Sequence, residues 1–111
     1  MQPARGPLGM GLDNPVMNNA FKEAREGGKH SGFLRQIENM GDRQVSKMIN
    51  SMDESIALHV RKVQNPDQII PNWRELDSRY QSGLIAHWSK EIKVFEAQLV
   101  IAKGVLNERK N

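Results

Sequence analysis

The sequence predicts an all-α fold. Lys, Glu, Gln, Met and Leu are abundant, and unbranched side chains lose little rotamer freedom on a helix. Aromatic residues make up only 5% of the chain, no alternating β-branched run is present, and two long segments repeat apolar residues in steps of three and four. With 111 residues the chain makes one compact domain, a small bundle built on a long antiparallel helix pair with two short N-terminal helices.

Met1 to Leu12, with three glycines, two prolines and little to bury, reads as a flexible leader. Asn14-Pro15 then starts a short helix, because the amide caps free backbone donors and proline at the first helical position gives up a donor that had no partner. That helix runs to about Glu26 and stops at Gly27-Gly28. Ser31 reads as the cap of a second short helix carrying Phe33, Leu34 and Ile37, which closes near Met40-Gly41. The domain boundary falls here: residues 1–27 read as a linker with a short helix, and 28–111 as the helical domain.

Asp42 reads as the cap of the first long helix. Its seam is Val45, Ile49, Met52, Ile56, His59 and Val63, and Pro66 ends it by disfavouring helical backbone at Asn65. A linker holding Ile69, Ile70, Pro71 and Trp73 leads to the second long helix, Ser78 to near Arg109. Its seam is Ile85, Trp88, Ile92, Phe95, Leu99, Ala102 and Leu106. At a rise of about 1.5 Å per residue the pair spans roughly 34 Å and 48 Å, and it packs antiparallel to hide both seams.

Several function classes fall away. The chain has no cysteine, so a disulfide scaffold, a thiolate zinc site and a cysteine nucleophile are excluded. A net charge of +3, spread as +1 over each of residues 1–41, 42–64 and 65–111, shows no basic tail and does not by itself argue for nucleic-acid binding. No apolar run approaches the roughly 18 residues that span a bilayer, so membrane insertion is not expected. No Walker loop, dinucleotide fingerprint, His-Glu-x-x-His or Gly-x-Ser-x-Gly occurs.

Histidine is then where acid–base chemistry is sought. His59 lies on the first long seam, either as a core residue held by a carbonyl or carboxylate or as a catalytic group with Arg61, Lys62 and Asn65 nearby. His30 follows Lys29 in the turn before the second short helix, and is either a solvated loop residue or part of an anion site. His87, one step off the second seam, reads as a boundary packing residue. If His30 and His59 meet beside Lys29 and Lys62, they supply a base, an acid and positive charge. That set cleaves RNA without a metal or cofactor, because the ribose 2′-hydroxyl is the nucleophile. Asp53, Glu54 and Asp67 are a weaker, metal-based alternative without recognisable ligand spacing. Trp73 and Tyr80 either stack on an exposed base or, for Trp73, plug the end of the core. Met40, Met48 and Met52 read as gap-filling hydrophobes.

Gly28-Lys29-His30-Ser31-Gly32-Phe33-Leu34, the helix ending His59-x-x-Lys62-x-x-Asn65-Pro66, Trp73, and the Leu84-Ile85 helix containing Trp88 together resemble a C-terminal toxin module of bacterial polymorphic toxins. Such modules end contact-dependent growth inhibition and Rhs-type effectors, and the similarity runs from Gly28 to Leu106. The resemblance implies an antibacterial effector domain released from a larger secreted parent, acting in the cytoplasm of the target bacterium and neutralised by a cognate immunity protein. Many such modules are nucleases, especially of tRNA. It carries Lys29, His30, His59, Lys62 and Asn65 over as candidates. Catalysis is expected from Lys29, His30, His59 and Lys62, with Arg35, Arg61, Asn65 and Trp73 contacting RNA, and the immunity partner is expected to be acidic over the Lys29 and Lys62 region. The competing reading is a noncatalytic helical interaction module, an adaptor or an immunity-like binder.

Overall fold

The computed structural model describes residues 15–110, with side chains from residue 19 onward. Among the described residues the fold is all-α: α1 (Pro15–Arg25), α2 (Ser31–Glu38), α3 (Asp42–Gln64), the short α4 (Pro66–Ile69), a 3-10 turn (Trp73–Glu75) and α5 (Ser78–Lys110). The expected cap Asn14 and the leader Met1 to Leu12 lie outside the described residues.

α1 stops because Gly27 takes a left-handed backbone, φ 90°, open to glycine without penalty. The Gly28 amide donates to the Glu23 carbonyl at 2.9 Å and the Gly27 amide to that of Ala24 at 3.1 Å, which satisfies two orphan carbonyls of the helix end. The next turn differs from expectation. Ser31 is not a cap but the first helical residue of α2; His30 occupies the cap position with φ 67° and ψ 15°, and its side chain makes no capping bond. It is the one non-glycine residue with positive φ among the described residues. A left-handed His30 reverses the chain within the few residues between Arg25 and Ser31.

Likewise Asp42 is not the cap of α3 but its first residue. The cap is Gly41, whose amide donates to the Gln44 side-chain carbonyl at 3.2 Å, one half of a capping box. Asp42 instead pairs with Arg109 of α5 at 2.7 Å. Pro66 ends α3 as expected and opens α4 as its first residue, so the linker contains a helical turn.

α3 and α5 form the long contacting pair, and α1 and α2 both pack on α5. From α3, Val45, Met52 and Ile56 are buried, and from α5, Trp88, Leu99 and Ala102, six of the residues expected on the two seams. α5 goes further. Val100, Ile101, Gly104 and Val105 are also buried, because α1 and α2 cover the face of α5 turned away from α3. Leu34 and Ile37 of α2 and Ala24 of α1 join Val45, Met52, Ile56, Leu99, Ile101, Ala102 and Val105 in one core.

The folded unit therefore includes α1, contrary to the boundary after residue 27. Phe21 packs on the core, Ala24 is buried, and Arg25 both covers the Phe21 ring at 4.5 Å and pairs with Glu108. At the far end Trp73 stacks on Trp88 with ring centres 6.1 Å apart, plugging the bundle between α4 and the start of α5.

Candidate functional site

Because α1, the turn after it and α5 diverge, they leave a groove of about 520 Å³ between them, within the usual range of small-ligand sites. Its floor is aliphatic: Ala20 of α1 and Val94 and Ala97 of α5. Around that floor stand Lys29 and His30 from the turn, Lys90 and Lys93 from α5, and the carboxyl groups of Glu23 and Glu96. Three lysines line this one groove although the chain as a whole is only mildly basic, which is how a few placed cations make an anion site.

His30, held in a left-handed backbone, lines the groove. The same conformation in an L-residue costs on the order of 1 kcal/mol, and uncommon backbone of this kind clusters at functional sites. Glu96 is half-buried in the opposite wall. Burial holds its carboxyl above the ordinary carboxylate range, with Lys93 one turn away partly offsetting this. The groove thus joins an imidazole, a carboxyl group that titrates above its ordinary range, and three cations.

His59 does not line this groove, so the two histidines of the resemblance do not share a site. Its ring is largely buried between α3 and α5. Nδ1 donates to the Ser55 carbonyl at 2.8 Å, Nε2 lies 2.8 Å from a Glu91 carboxylate oxygen, and the Phe95 ring meets it edge-on at 5.3 Å. The core reading of His59, held by a carbonyl and a carboxylate, is the one the geometry fits. Both ring nitrogens are engaged, leaving none for a substrate. The other oxygen of Glu91 is 3.5 Å from Nε2 of His87, one turn earlier on α5. His87 is not a packing residue: 62% of its side chain is exposed.

The remaining candidates separate as well. Lys62 sits over the Trp88 ring at 5.7 Å, a cation–π contact on the α3–α5 face. Asn65 terminates α3, its amide donating to the Arg61 carbonyl at 2.8 Å, while Arg61 is exposed on the last turn of that helix. Arg35 is exposed on α2, and its carbonyl accepts a bond from the Asn39 amide at 3.0 Å. Trp73 stacks on Trp88 and does not line the groove, while Tyr80 is 58% exposed at the start of α5. Of the expected catalytic set, then, Lys29 and His30 lie together and His59 and Lys62 lie elsewhere.

Periodicity gave no sign of Lys90, Lys93 and Glu96. They lie off the α5 seam, on positions that read as solvated until α1 and the His30 turn are placed against them. Among the described residues no three histidine or carboxylate side chains are placed to hold a metal ion, which leaves Asp53, Glu54 and Asp67 without a ligand arrangement. No helix among them is long and apolar enough to cross a membrane. Compared with known proteins, the chain matches no family model, no curated protein and no solved structure.

Proposed function

We propose that this domain is a metal-independent ribonuclease of the effector-toxin kind, cutting RNA in the groove between α1 and α5 with His30 and Glu96 as its acid–base pair. The carrying observation is the convergence, in one groove, of His30, of Glu96 with a carboxyl kept above its ordinary range, and of Lys29, Lys90 and Lys93. His30 accepts the proton of a ribose 2′-hydroxyl as that oxygen attacks the adjacent phosphorus. Glu96 gives its proton to the departing 5′-oxygen, so the O2′–P bond forms while the P–O5′ bond breaks, leaving a 2′,3′-cyclic phosphate and a 5′-hydroxyl. The three lysines stabilise the extra negative charge of the phosphorane-like transition state. DNA lacks the nucleophile and is spared.

On this reading the domain is carried by a larger secreted effector, acts in the cytoplasm of a target bacterium and is silenced by an immunity protein. An acidic surface laid over Lys29, Lys90 and Lys93 would occlude the groove and speed association. Lys62 does not line the groove, so on this reading the contact falls on Lys29 and on Lys90 and Lys93 of α5.

One observation favours a second reading, a noncatalytic interaction module: the groove floor is aliphatic and Val94 is 39% exposed within it, a surface that suits a protein side chain. Incubating purified protein with total RNA and with DNA, with and without a chelator, separates the two. Chelator-resistant RNA fragments ending in 2′,3′-cyclic phosphate, lost in Glu96→Gln, support the nuclease. Intact RNA at micromolar protein overturns it in favour of the binding module.

A further inference from the structure

We infer that the groove extends one helical turn toward the start of α5 as a second phosphate subsite built on His87, and that His59 acts as the positioning residue of that subsite. The choice of a nucleic-acid ligand rests on the ribonuclease reading; the subsite itself rests on separate geometry.

His87, Lys90, Glu91 and Val94 follow one another at helical spacing along α5, so they share a strip of its surface. Lys90 and Val94 already line the groove, and the strip leads from them to His87. A single strand seated in the groove by one nucleotide would therefore bring its next phosphate along this strip. Glu91 is the obstacle, because a free carboxylate would repel a phosphate. Its two oxygens are taken, one by His59 at 2.8 Å and one by His87 at 3.5 Å. With Nδ1 of His59 donating to the Ser55 carbonyl, the short contact between Nε2 and Glu91 is a hydrogen bond that occupies that carboxylate oxygen. Glu91, with both oxygens engaged, thereby anchors the exposed His87 ring, which with Lys90 presents N–H donors to a phosphate. This assigns a role to His59 that its buried, doubly bonded ring excludes at the reacting phosphate itself.

The test uses 2′-deoxy oligonucleotides, which bind without being cut, and reads the ratio of tetranucleotide to mononucleotide affinity at low salt near pH 6. Wild-type protein is expected to show a clear advantage for the tetranucleotide. In His87→Gln that advantage falls by about tenfold, the weight of one charge-assisted contact, and the salt slope drops by about one. His59→Leu, which keeps the volume and loses the bond to Glu91, lowers the ratio in the same way, whereas His59→Gln, whose amide can still donate to Glu91, restores much of it. A His87→Gln protein with an unchanged ratio overturns the subsite. Because His87 is exposed, that variant decides the matter even if His59→Leu fails to fold. A protein that shows the His87-dependent ratio but leaves RNA uncut keeps the subsite and overturns only the nuclease, while cleavage with a ratio indifferent to His87 does the reverse.

Discussion

The ring of Phe21 on α1 lies so close over Gly104 of α5 that a Cβ on Gly104 would stand 2.9 Å from two of its carbons. Real Cβ atoms do not approach an aromatic ring that closely, so α1 must back away or Phe21 must leave its place. Gly104→Ala gains up to about 1 kcal/mol of helix propensity, and the overpacking outweighs it. A net loss of about 1–2 kcal/mol is expected as a lower urea midpoint with an unchanged slope. A midpoint at or above wild type would show that α1 is not seated on α5 as described.

His30→Gly separates stability from activity. Glycine adopts a left-handed backbone without the steric cost that histidine bears, so the variant should be at least as stable as wild type, by up to about 1 kcal/mol. The same change removes the imidazole from the groove and should reduce RNA cleavage by about 10²-fold or more. A thermal melt and a cleavage rate on one preparation check both. Cleavage at the wild-type rate would remove His30 from the reaction.

Glu96 makes a pH dependence with a definite sign. Its carboxyl titrates above the ordinary range in the folded protein, so the fold binds that proton more tightly than the unfolded chain does. Stability therefore declines as pH rises from the ordinary carboxylate value through the raised one, and is flat beyond it. Glu96→Gln should abolish this slope in denaturation curves taken across the acidic range and leave the variant more stable at neutral pH. Cleavage by the wild type should fall as pH rises through the same raised value, because the leaving oxygen then lacks its acid. A cleavage profile indifferent to pH there would assign the acid elsewhere.

Trp73→Ala is expected to act on the fold and not on the reaction. The half-buried ring stacks on buried Trp88, and its removal opens the end of the α3–α5 pair at a cost of about 1–3 kcal/mol. Cleavage measured well below the new melting temperature should stay within about twofold of wild type. A selective rise in KM for RNA with an unchanged melt would return Trp73 to the binding surface.

The two long helices are legible in the chain because each carries its own end signals and an uninterrupted seam. Val45 to Val63 and Ile85 to Leu106 keep their steps of three and four, and Pro66 stops α3 where its ring must. The turn at Gly27 is legible for the same local reason. His30 is not, because a left-handed histidine leaves no mark in sequence and Ser31 is the better intrinsic cap. The site was half legible. Lys29 and His30 adjoin in sequence and stay together in space, but Lys90, Lys93 and Glu96 belong to the groove only through the long-range packing of α1. His59 is legible as a seam residue, yet nothing local reveals that Glu91, on the partner helix, engages its second ring nitrogen.

The last turns of α5 are where the other helices are fastened. Glu108 takes Arg25 from α1, and Arg109 reaches Asp42 of α3 and the carbonyls of Ile37 and Glu38 at the end of α2. These partners stand 67 to 83 residues earlier in the chain. During synthesis, which proceeds from the N-terminus, α1, α2 and α3 emerge before α5, the element on which all three pack. One wall of the groove is α5 itself. The groove, which needs α5, thus forms only after α1, α2 and α3 have all been made.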